Sequence, residues 1–412
     1  MKQFQNNNTK KKLTIICLII IVGLVIFTLT VLVKKMMNIP LYSFGYLIPF
    51  TDFTDVLKFS AGKAGEGATT NYFPFTFIIM KVFEMISLGN YTIIYLMVFS
   101  ACIVLCGWFC KLFLNGKIEK KEMYFNILVL LLMQFPMMFE FQRGNIEIIG
   151  LVFCFAFYTL YKREKYNAAA ILLSFAICMK LYPALLALLL INKKQFKAFF
   201  ICAFSSLGIT ILSYILMQNI LGGFSQYING FTLFLNQYGS NLPGMQYNHS
   251  LLFGIYYILY KVFNYSLKAL FYGPIMSAYT VYIILVSIPL AIYTVKENIA
   301  EWKKITLLAL MMISFPQVSF DYSLIVIIIP IIAFVTDVNT KKWEDIAYSI
   351  LFGLLLIPMS FGEEVLYARV VTNFGLAIKP ILITAIMFTI IFTSTKIEKN
   401  KKQALKGSRN EV

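Results

Sequence analysis

The chain has 412 residues, of which 59% are hydrophobic and 13% are charged, with a mean hydropathy of +0.77 and a formal net charge of +17. A soluble domain carries roughly a quarter charged residues, so this composition excludes an ordinary soluble protein. Apolar runs of about 20 residues, without the alternation of a barrel strand, predict an all-α polytopic membrane protein built as a single domain over 1–412.

The basic residues lie in short clusters beside the apolar runs. These clusters are Lys10 to Lys12, Lys117 to Lys121, Lys162 to Lys165, Lys193 to Lys197, Lys296 to Lys304, Lys341 to Lys342 and the tail after Lys396. Such a bias marks the cytoplasmic side of a membrane protein. No basic stripe interleaved with aromatic residues is present, so the charge predicts no nucleic-acid partner.

Taking every basic cluster as cytoplasmic gives a path of roughly 12 membrane segments in the cell membrane, with both termini inside. The tails 1–12 and 396–412 are then basic and cytoplasmic. The first helix leads into an outer loop over 35–91, in which 73–86 is read as an interfacial helix. Two runs, 167–191 and 305–336, must leave and return within a short length and are predicted as broken-helix hairpins.

The remaining apolar runs are long enough to be read as full crossings. They are predicted at 13–33, 92–114, 122–142, 146–162, 196–222, 275–295, 345–358 and 376–394. The first follows "NTKKK" and is too long for the core of a cleavable signal, so it is expected to remain as an anchor. The connection 223–274 is read as an outer loop with one amphipathic helix at 251–264.

The seven cysteines all lie within apolar runs, which argues against structural disulfides. His249 is the single histidine, so neither a zinc site nor a Ser-His-Asp triad is well supported. Nucleotide-binding fingerprints of the GxGxxG or Walker type are also missing from the sequence. The sequence therefore predicts no cofactor and no metal-ligating residues, and it leaves open whether the activity depends on a metal ion.

The assigned path places the unusual polar stretches together on the outer side. They are "FTDFTD" (50–55), "NYFPF" (71–75), "QRGN" (142–145), "KLYP" (180–183), "QYNHS" (246–250), "FPQVSFDY" (315–322) and "FGEE" (361–364). Because the path was derived from charge bias alone, this grouping is an independent indication of one outer pocket.

Asp52 and Asp55 follow the first membrane helix at a spacing that puts both on one side of a helical turn. Either carboxylate could act as a general base, since crowding by aromatic residues near a membrane raises proton affinity. The alternative is a solvated loop carboxylate or a helix N-cap.

Arg143 ends an apolar run beside Gly144, Asn145 and Glu147. Glycine permits a tight backbone break, and a guanidinium can hold two phosphate oxygens at once. The alternative is an arginine that merely anchors the helix end at the membrane rim.

Lys180 lies inside a predicted hairpin, where a cation needs a partner or water. It is read either as a phosphate ligand or as one half of an internal salt bridge with Glu147 or Asp321. Asp321 and Tyr322, at the bend of the second hairpin, are expected to pair with these cations or to bind sugar hydroxyls.

His249 precedes the amphipathic helix at 251–264, between Asn248 and Ser250. Ser250 or Asn248 would serve as its N-cap, while the imidazole could donate a hydrogen bond to a phosphate. Glu363 and Glu364 are read as solvated.

Taken together, these motifs resemble the polytopic GT-C glycosyltransferases, and in particular glycosyltransferase family 87. The resemblance rests on the acidic first outer loop, "NYFPF", "QRGN", "KLYPALL", "NHS" and "FPQVSFDY". It implies a polyprenyl-phosphate sugar as donor, inversion at the anomeric carbon, and transfer of a mannose-like hexose to a cell-envelope glycan or glycolipid outside the cell membrane.

Carried onto the matching positions, the resemblance implies a role for each candidate residue. The catalytic base is Asp52, with Asp55 second. The donor phosphate ligands are Arg143, Lys180 and His249; the substrate-binding residues are Tyr72, Asn145, Tyr182, Asn248, Asp321 and Tyr322. The chain departs from the family pattern in the single proline of "NYFPF", in His249 and in the pair Asp321 and Tyr322.

Two other functions fit the same broken helices with embedded charges. One is a transporter or flippase of lipid-linked sugars, although the polar groups gather on one side and the halves show no pseudo-symmetry. The other is a ligase that moves a preassembled glycan.

Overall fold

The computed structural model describes residues 2–37, 49–62, 71–239, 245, 248–266, 274–296, 298–359, 364–366 and 370–409. Within these residues the regular secondary structure is helical except for one pair of short strands. The helices of the N-terminal half are α1 (Lys2–Met36), α2 (Thr51–Ser60), α3 (Pro74–Ser87), α4 (Tyr91–Leu114), α5 (Lys120–Leu128), α6 (Phe135–Arg143), α7 (Glu147–Lys162), α8 (Tyr166–Met179), α9 (Leu188–Asn192) and α10 (Phe196–Leu221).

The C-terminal half continues with seven further helices and two strands. They are α11 (Phe224–Phe234), α12 (Leu251–Phe263), α13 (Ile275–Lys296), α14 (Glu301–Ser314), α15 (Ile328–Thr336), α16 (Lys342–Leu355), β1 (Glu364–Leu366), β2 (Val370–Thr372) and α17 (Gly375–Arg409). The strands pair antiparallel, with Val365 opposite Val371. This strand pair is the one departure from the predicted all-α class among the described residues.

In the described part of the chain, five helices are long and apolar enough to cross a membrane. They are Asn7–Met36, Tyr91–Leu114, Phe196–Leu221, Ile275–Lys296 and Gly375–Ser394. The bent pair Lys120–Met133 and Phe135–Arg143, at an angle of 51°, makes a sixth if it counts as one span. Large apolar side chains such as Phe204 and Leu285 are exposed on two of these helices, as expected for surfaces that contact lipid.

Both runs that were predicted as broken-helix hairpins contain a break in the helix. The first breaks at Lys180, where α8 ends, and resumes as a 3-10 helix at Tyr182–Ala187 that leads into α9. The second breaks after α14 and resumes as a 3-10 helix at Asp321–Ile327 that leads into α15. Every residue of α14 from Trp302 to Ser314 is buried, so this hairpin forms the centre of the protein.

Two helices were missed in regions read from the sequence as loops. α2 lies within the predicted outer loop 35–91, and α11 lies within the connection 223–274. Both are short and amphipathic, and each is too short to be recognised from its hydrophobicity as a membrane crossing. The structure packs α2 against α3, α4 and α6, and this packing gives α2 the stability that a ten-residue helix does not have by itself.

Candidate active site

The break between α6 and α7 is built around Gly144. This residue has φ of 68°, in the left-handed region that favours glycine. The backbone N–H of Phe50 donates to the carbonyl oxygen of Gln142 at 2.9 Å, and a Cβ atom at Gly144 would lie 2.5 Å from Cα of Phe50. The start of α2 is therefore docked directly onto this break.

This docking brings Asp52 to the end of α6. The Arg143 guanidinium donates from Nε to Oδ2 of Asp52 at 3.2 Å and from Nη2 to Oδ1. The Asn145 amide donates to Oδ2 at 2.9 Å. Asn145 Oδ1 accepts from the backbone N–H groups of Ile146 and Glu147, which starts α7. Arg143 is therefore an ion-pair partner of Asp52, which lies 91 positions away in the chain.

Tyr72 joins this group through Asn145. Its hydroxyl donates to Asn145 Oδ1 at 3.3 Å. The Nζ atom of Lys180 lies 4.7 Å from the centre of the Tyr72 ring and 5.8 Å from that of Tyr322. The aromatic rings thus link the Asp52 group to the break in the first hairpin.

Asp55 lies one turn after Asp52 on α2 and is exposed. Partial burial raises the pKa of its carboxyl; Lys58 opposes this shift, the negative charge of Asp52 adds to it, and Arg143 opposes it. Asp52 and Asp55 therefore differ in environment: the former is fixed by three hydrogen bonds, and the latter faces solvent.

Lys180 forms an ion pair with Glu147 Oε1, and Tyr182 donates its hydroxyl to Glu147 Oε2. The exposed fractions of the Lys180 and Glu147 side chains are 12% and 5%. Of the two salt-bridge partners considered from the sequence, Glu147 is the one observed. An ammonium has three donors, so this pairing leaves Lys180 able to bind a further anion.

Asp321 has different partners from those expected. The Lys379 ammonium on α17 pairs with Asp321 Oδ2, and the His249 Nδ1 atom lies 3.3 Å from Oδ1. The expected pairing of Asp321 with Arg143 or Lys180 was wrong, because those cations already neutralise Asp52 and Glu147. The adjacent Tyr322 does face Lys180, as described above.

The His249 ring is enclosed. It is 0% exposed, its Nε2 atom lies 3.2 Å from Oγ of Ser319, and burial lowers the pKa of the imidazole. Both ring nitrogens therefore have partners within the protein, and direct donation to a phosphate would require this network to open.

The segment around His249 is fixed by backbone pairing. Asn248 forms an antiparallel bridge with Phe320, and the N–H of His249 donates to the carbonyl of Ser319 at 2.8 Å. Ser250 Oγ accepts from the N–H of Phe253, which confirms the predicted N-cap of α12. Glu363 lies outside the described residues.

A cavity of about 700 Å³ opens beside these groups. Much of its wall is aromatic, including Phe73, Tyr227, Phe231, Phe234 and Phe320. Glu147, Lys180, Tyr182, Tyr322, Ser319 and Ser323 contribute polar groups to the same cavity. A long apolar wall with a few charged and hydroxyl groups suits an amphiphilic ligand.

Sequence reasoning missed Lys379, Ser319 and Ser323. Lys379 carried a usable signal, because a lysine near the start of an apolar helix needs a partner. Ser319 lies within the stretch "FPQVSFDY" but was not singled out, and Ser323 carried no signal. Among the described residues, no group of three His, Cys, Asp or Glu side chains is placed to hold a metal ion, and the seven cysteines are free and buried.

The basic clusters meet in another part of the structure. Side-chain contacts join Lys10 to Glu122, Lys12 to Asp345, Lys117 to the Thr336 carbonyl, Lys162 and Lys193 to Glu301, and Lys303 to Glu344. All these clusters were assigned to one side from charge bias alone. The contacts agree with that grouping.

The sequence model of the protein family named glycosyltransferase family 87 matches residues 70–316, which is more than half of the chain. The matched stretch contains Tyr72, Arg143, Lys180 and His249, and it begins after Asp52. Comparisons with curated proteins and with solved structures give no match.

Proposed function

Because the chain belongs to glycosyltransferase family 87 and is therefore a membrane glycosyltransferase, we propose that it transfers a mannose-like hexose from a polyprenyl phosphate. The acceptor is a cell-envelope glycan or glycolipid on the extracytoplasmic face of the cell membrane. The observation that carries this proposal is the position of Lys180. Its ammonium lies in the wall of a large aromatic cavity, next to the network that holds Asp52.

The donor matches the two kinds of surface in this cavity. A polyprenyl chain is apolar and suits the wall formed by Phe73, Phe231 and Phe234. Its phosphate is anionic and suits Lys180, with Arg143 as the second cation near the site. Because a carboxylate already pairs with each cation, the phosphate would share these cations with Glu147 and Asp52.

In the proposed reaction, Asp52 removes the proton from an acceptor hydroxyl as that oxygen attacks the anomeric carbon. The new glycosidic bond forms while the bond from the anomeric carbon to the phosphate oxygen breaks, with inversion. The polyprenyl phosphate leaves with the electron pair of that bond, and the cations stabilise its charge. Arg143 and Asn145 hold the Asp52 carboxylate in place for the transfer.

The proposed orientation puts the joined basic clusters in the cytoplasm. The cavity and the Asp52 network then lie near the outer face, both termini lie inside, and roughly 12 segments include the two broken-helix hairpins. A sugar attached to a membrane lipid reaches such a site from the side, while its isoprenoid stays in the bilayer.

The test is transfer by the purified protein in detergent, where transport across a membrane cannot be observed. The protein is mixed with a polyprenyl-phosphate hexose and a glycolipid fraction of the cell envelope, and the products are identified by mass spectrometry. We expect acceptor masses to increase by one hexose and polyprenyl phosphate to be released. Lipid-linked sugar movement in vesicles without transfer in detergent would instead support a flippase. Addition of a whole glycan would support a ligase.

A further inference from the structure

A chain of four buried side chains leads from α17 to the cavity. Lys379 pairs with Asp321, Asp321 contacts His249 Nδ1 at 3.3 Å, and His249 Nε2 lies 3.2 Å from Ser319 Oγ. Their exposed fractions are 1%, 6%, 0% and 6% in that order. Ser319 and Ser323, whose hydroxyl oxygens lie 2.9 Å apart, line the 700 Å³ cavity.

The direction of each hydrogen bond follows from the chemistry of Asp321. Its carboxylate can only accept, and one oxygen already accepts from Lys379. His249 must therefore donate from Nδ1. A neutral imidazole then has a lone pair on Nε2, so Ser319 donates its single hydroxyl hydrogen to Nε2. Burial of His249 lowers the pKa of the imidazole, which keeps the ring neutral near pH 7.

This direction determines what Ser319 can offer to a ligand. Its hydrogen is used by His249, so its oxygen is left as an acceptor. Ser323 has one hydrogen, which it donates to the Phe320 carbonyl at 2.8 Å or turns toward Ser319. A ligand hydroxyl entering the cavity therefore competes only with Ser323 for the Ser319 oxygen.

We infer that Ser319 is a subsite for a sugar hydroxyl of the donor hexose, and that His249, Asp321 and Lys379 hold it as a hydrogen-bond acceptor. The inference rests on the proposed function, because Lys180, the proposed ligand of the donor phosphate, lines the same cavity as Ser319. A phosphate oxygen, which accepts hydrogen bonds, does not suit this subsite. The three residues behind Ser319 are positioning residues and need not touch the sugar.

The subsite is tested by binding, independently of transfer. The probes are short-chain prenyl-phosphate hexoses in which each sugar hydroxyl is replaced in turn by hydrogen or by fluorine. Fluorine can accept but cannot donate, so it separates the two directions of a hydrogen bond. We expect one ring position at which both replacements weaken binding to the wild-type protein by about tenfold, the effect of one lost hydrogen bond.

Three variants test whether Ser319 is the cause of that loss of binding. In Ser319→Ala, the parent probe should bind about tenfold more weakly, and the sensitive position should show no further loss. Thr210→Val removes another hydroxyl from the wall of the same cavity and should keep the wild-type pattern. In Asp321→Asn, the amide can donate to Nδ1 of His249, so the imidazole carries its hydrogen on Nε2 and donates it to the Ser319 oxygen. The Ser319 hydroxyl is then free to donate to the ligand. The preference for a ligand hydroxyl that donates should therefore disappear. Thermal unfolding confirms that each variant is folded.

The subsite is overturned if Ser319→Ala distinguishes the probes as the wild-type protein does, or if no ring position is sensitive in the wild-type protein. The expected binding pattern without any transfer in detergent would overturn the proposed transferase reaction and leave the subsite intact. If transfer is observed but binding at no ring position of the sugar depends on Ser319, the subsite is overturned and the transferase reaction stands. Failure of the wild-type protein to bind the parent probe would overturn both.

Discussion

The Arg143 guanidinium, at the end of α6, donates to both carboxylate oxygens of Asp52 in the first turn of α2. Ninety-one positions separate the two residues in sequence. Together with the docking of Phe50 against Gln142 and Gly144, the contact fixes α2 at the helix end formed by "QRGN". It also fixes the orientation of the carboxylate, which a general base requires.

The first prediction concerns the identity of the base. Asp52→Asn should lower the rate of transfer by about 10²- to 10⁴-fold, the usual contribution of a general base, while the protein still inserts and folds. Asp55→Asn on the exposed side of α2 is the matched control and should retain most of the activity. Initial rates with purified protein measure both.

The opposite pattern, an inactive Asp55→Asn with an active Asp52→Asn, would assign the base to Asp55. The pH dependence gives a second criterion. Partial burial raises the pKa of Asp55, so a larger share of this carboxyl is protonated at any given acidic pH. As the pH is lowered, a reaction that depended on Asp55 would therefore lose rate at a higher pH than one that depended on an aspartate with an ordinary pKa.

The second prediction tests the forked contact. Arg143→Lys keeps the charge but cannot donate to both oxygens of Asp52 in one plane. We expect kcat to fall roughly 100-fold, because the base is no longer held in position. Arg163→Lys, at an exposed position just after α7, is the control and should leave kcat unchanged. Wild-type kinetics for Arg143→Lys would show that position 143 needs only a positive charge.

The third prediction separates the structural and functional roles of Lys180. Lys180→Met leaves Glu147 buried without its cation, which should cost roughly 3–5 kcal/mol of stability. The double variant Lys180→Met with Glu147→Gln removes both charges and should recover most of this loss. Transfer should remain lost in both, because the donor phosphate no longer has its cation. Unfolding in detergent and initial rates are compared for all three proteins.

If the double variant regains transfer together with stability, Lys180 serves only to neutralise Glu147. If the single variant has the wild-type stability, the ion pair contributes nothing to folding.

Much of the architecture was predictable from the sequence because segments that lie in a bilayer must be apolar and must satisfy their own backbone hydrogen bonds. Long apolar runs must form helices, and lysine bias grouped the basic clusters that the structure joins. The breaks at Lys180 and before Asp321 were predictable for the same reason, since charges and prolines stand out in an apolar sequence. The family assignment from "QRGN" and "KLYP" was confirmed.

The pairing of charges was less predictable. The predicted pocket offered Asp321 two cations, Arg143 and Lys180, and the sequence does not reveal that both already pair with other carboxylates. Lys379 enters the site only because α17 packs against α14 and α12, a contact between segments distant in the chain. Short helices such as α2 and α11 were missed because tertiary packing stabilises them, whereas helix propensity does not.

The fourth prediction concerns the close approach at Gly144. Gly144→Ala puts a Cβ atom on a residue with positive φ, which costs about 1–2 kcal/mol, and adds a clash 2.5 Å from Cα of Phe50. Gly116→Ala is a matched control, because Gly116 also has positive φ but has open space around its Cβ position. We expect Gly144→Ala to be the less stable variant and to lose transfer, because α2 can no longer dock. Equal unfolding temperatures would show that α2 is not held by this contact.

The fifth prediction uses His249, the single histidine of the chain. Burial lowers the pKa of its imidazole, while Asp321 opposes that shift and Lys379 adds to it. The unfolded chain therefore takes up this proton more readily than the folded protein. The stability that depends on His249 should be complete above about pH 6.5 and should fall as the pH drops below that value.

The limiting slope is about 1.4 kcal/mol per pH unit for one proton. Unfolding in detergent is measured between pH 5.5 and 8 for the wild-type protein and for His249→Gln, which cannot titrate in this range. The variant is expected to be less stable throughout, since Asp321 and Ser319 lose their partner, but it should lack the decline below pH 6.5. Because the chain has no second histidine, the same decline in both proteins would mean that His249 is not buried as a neutral ring. The direction of the hydrogen bonds at Ser319 would then reverse.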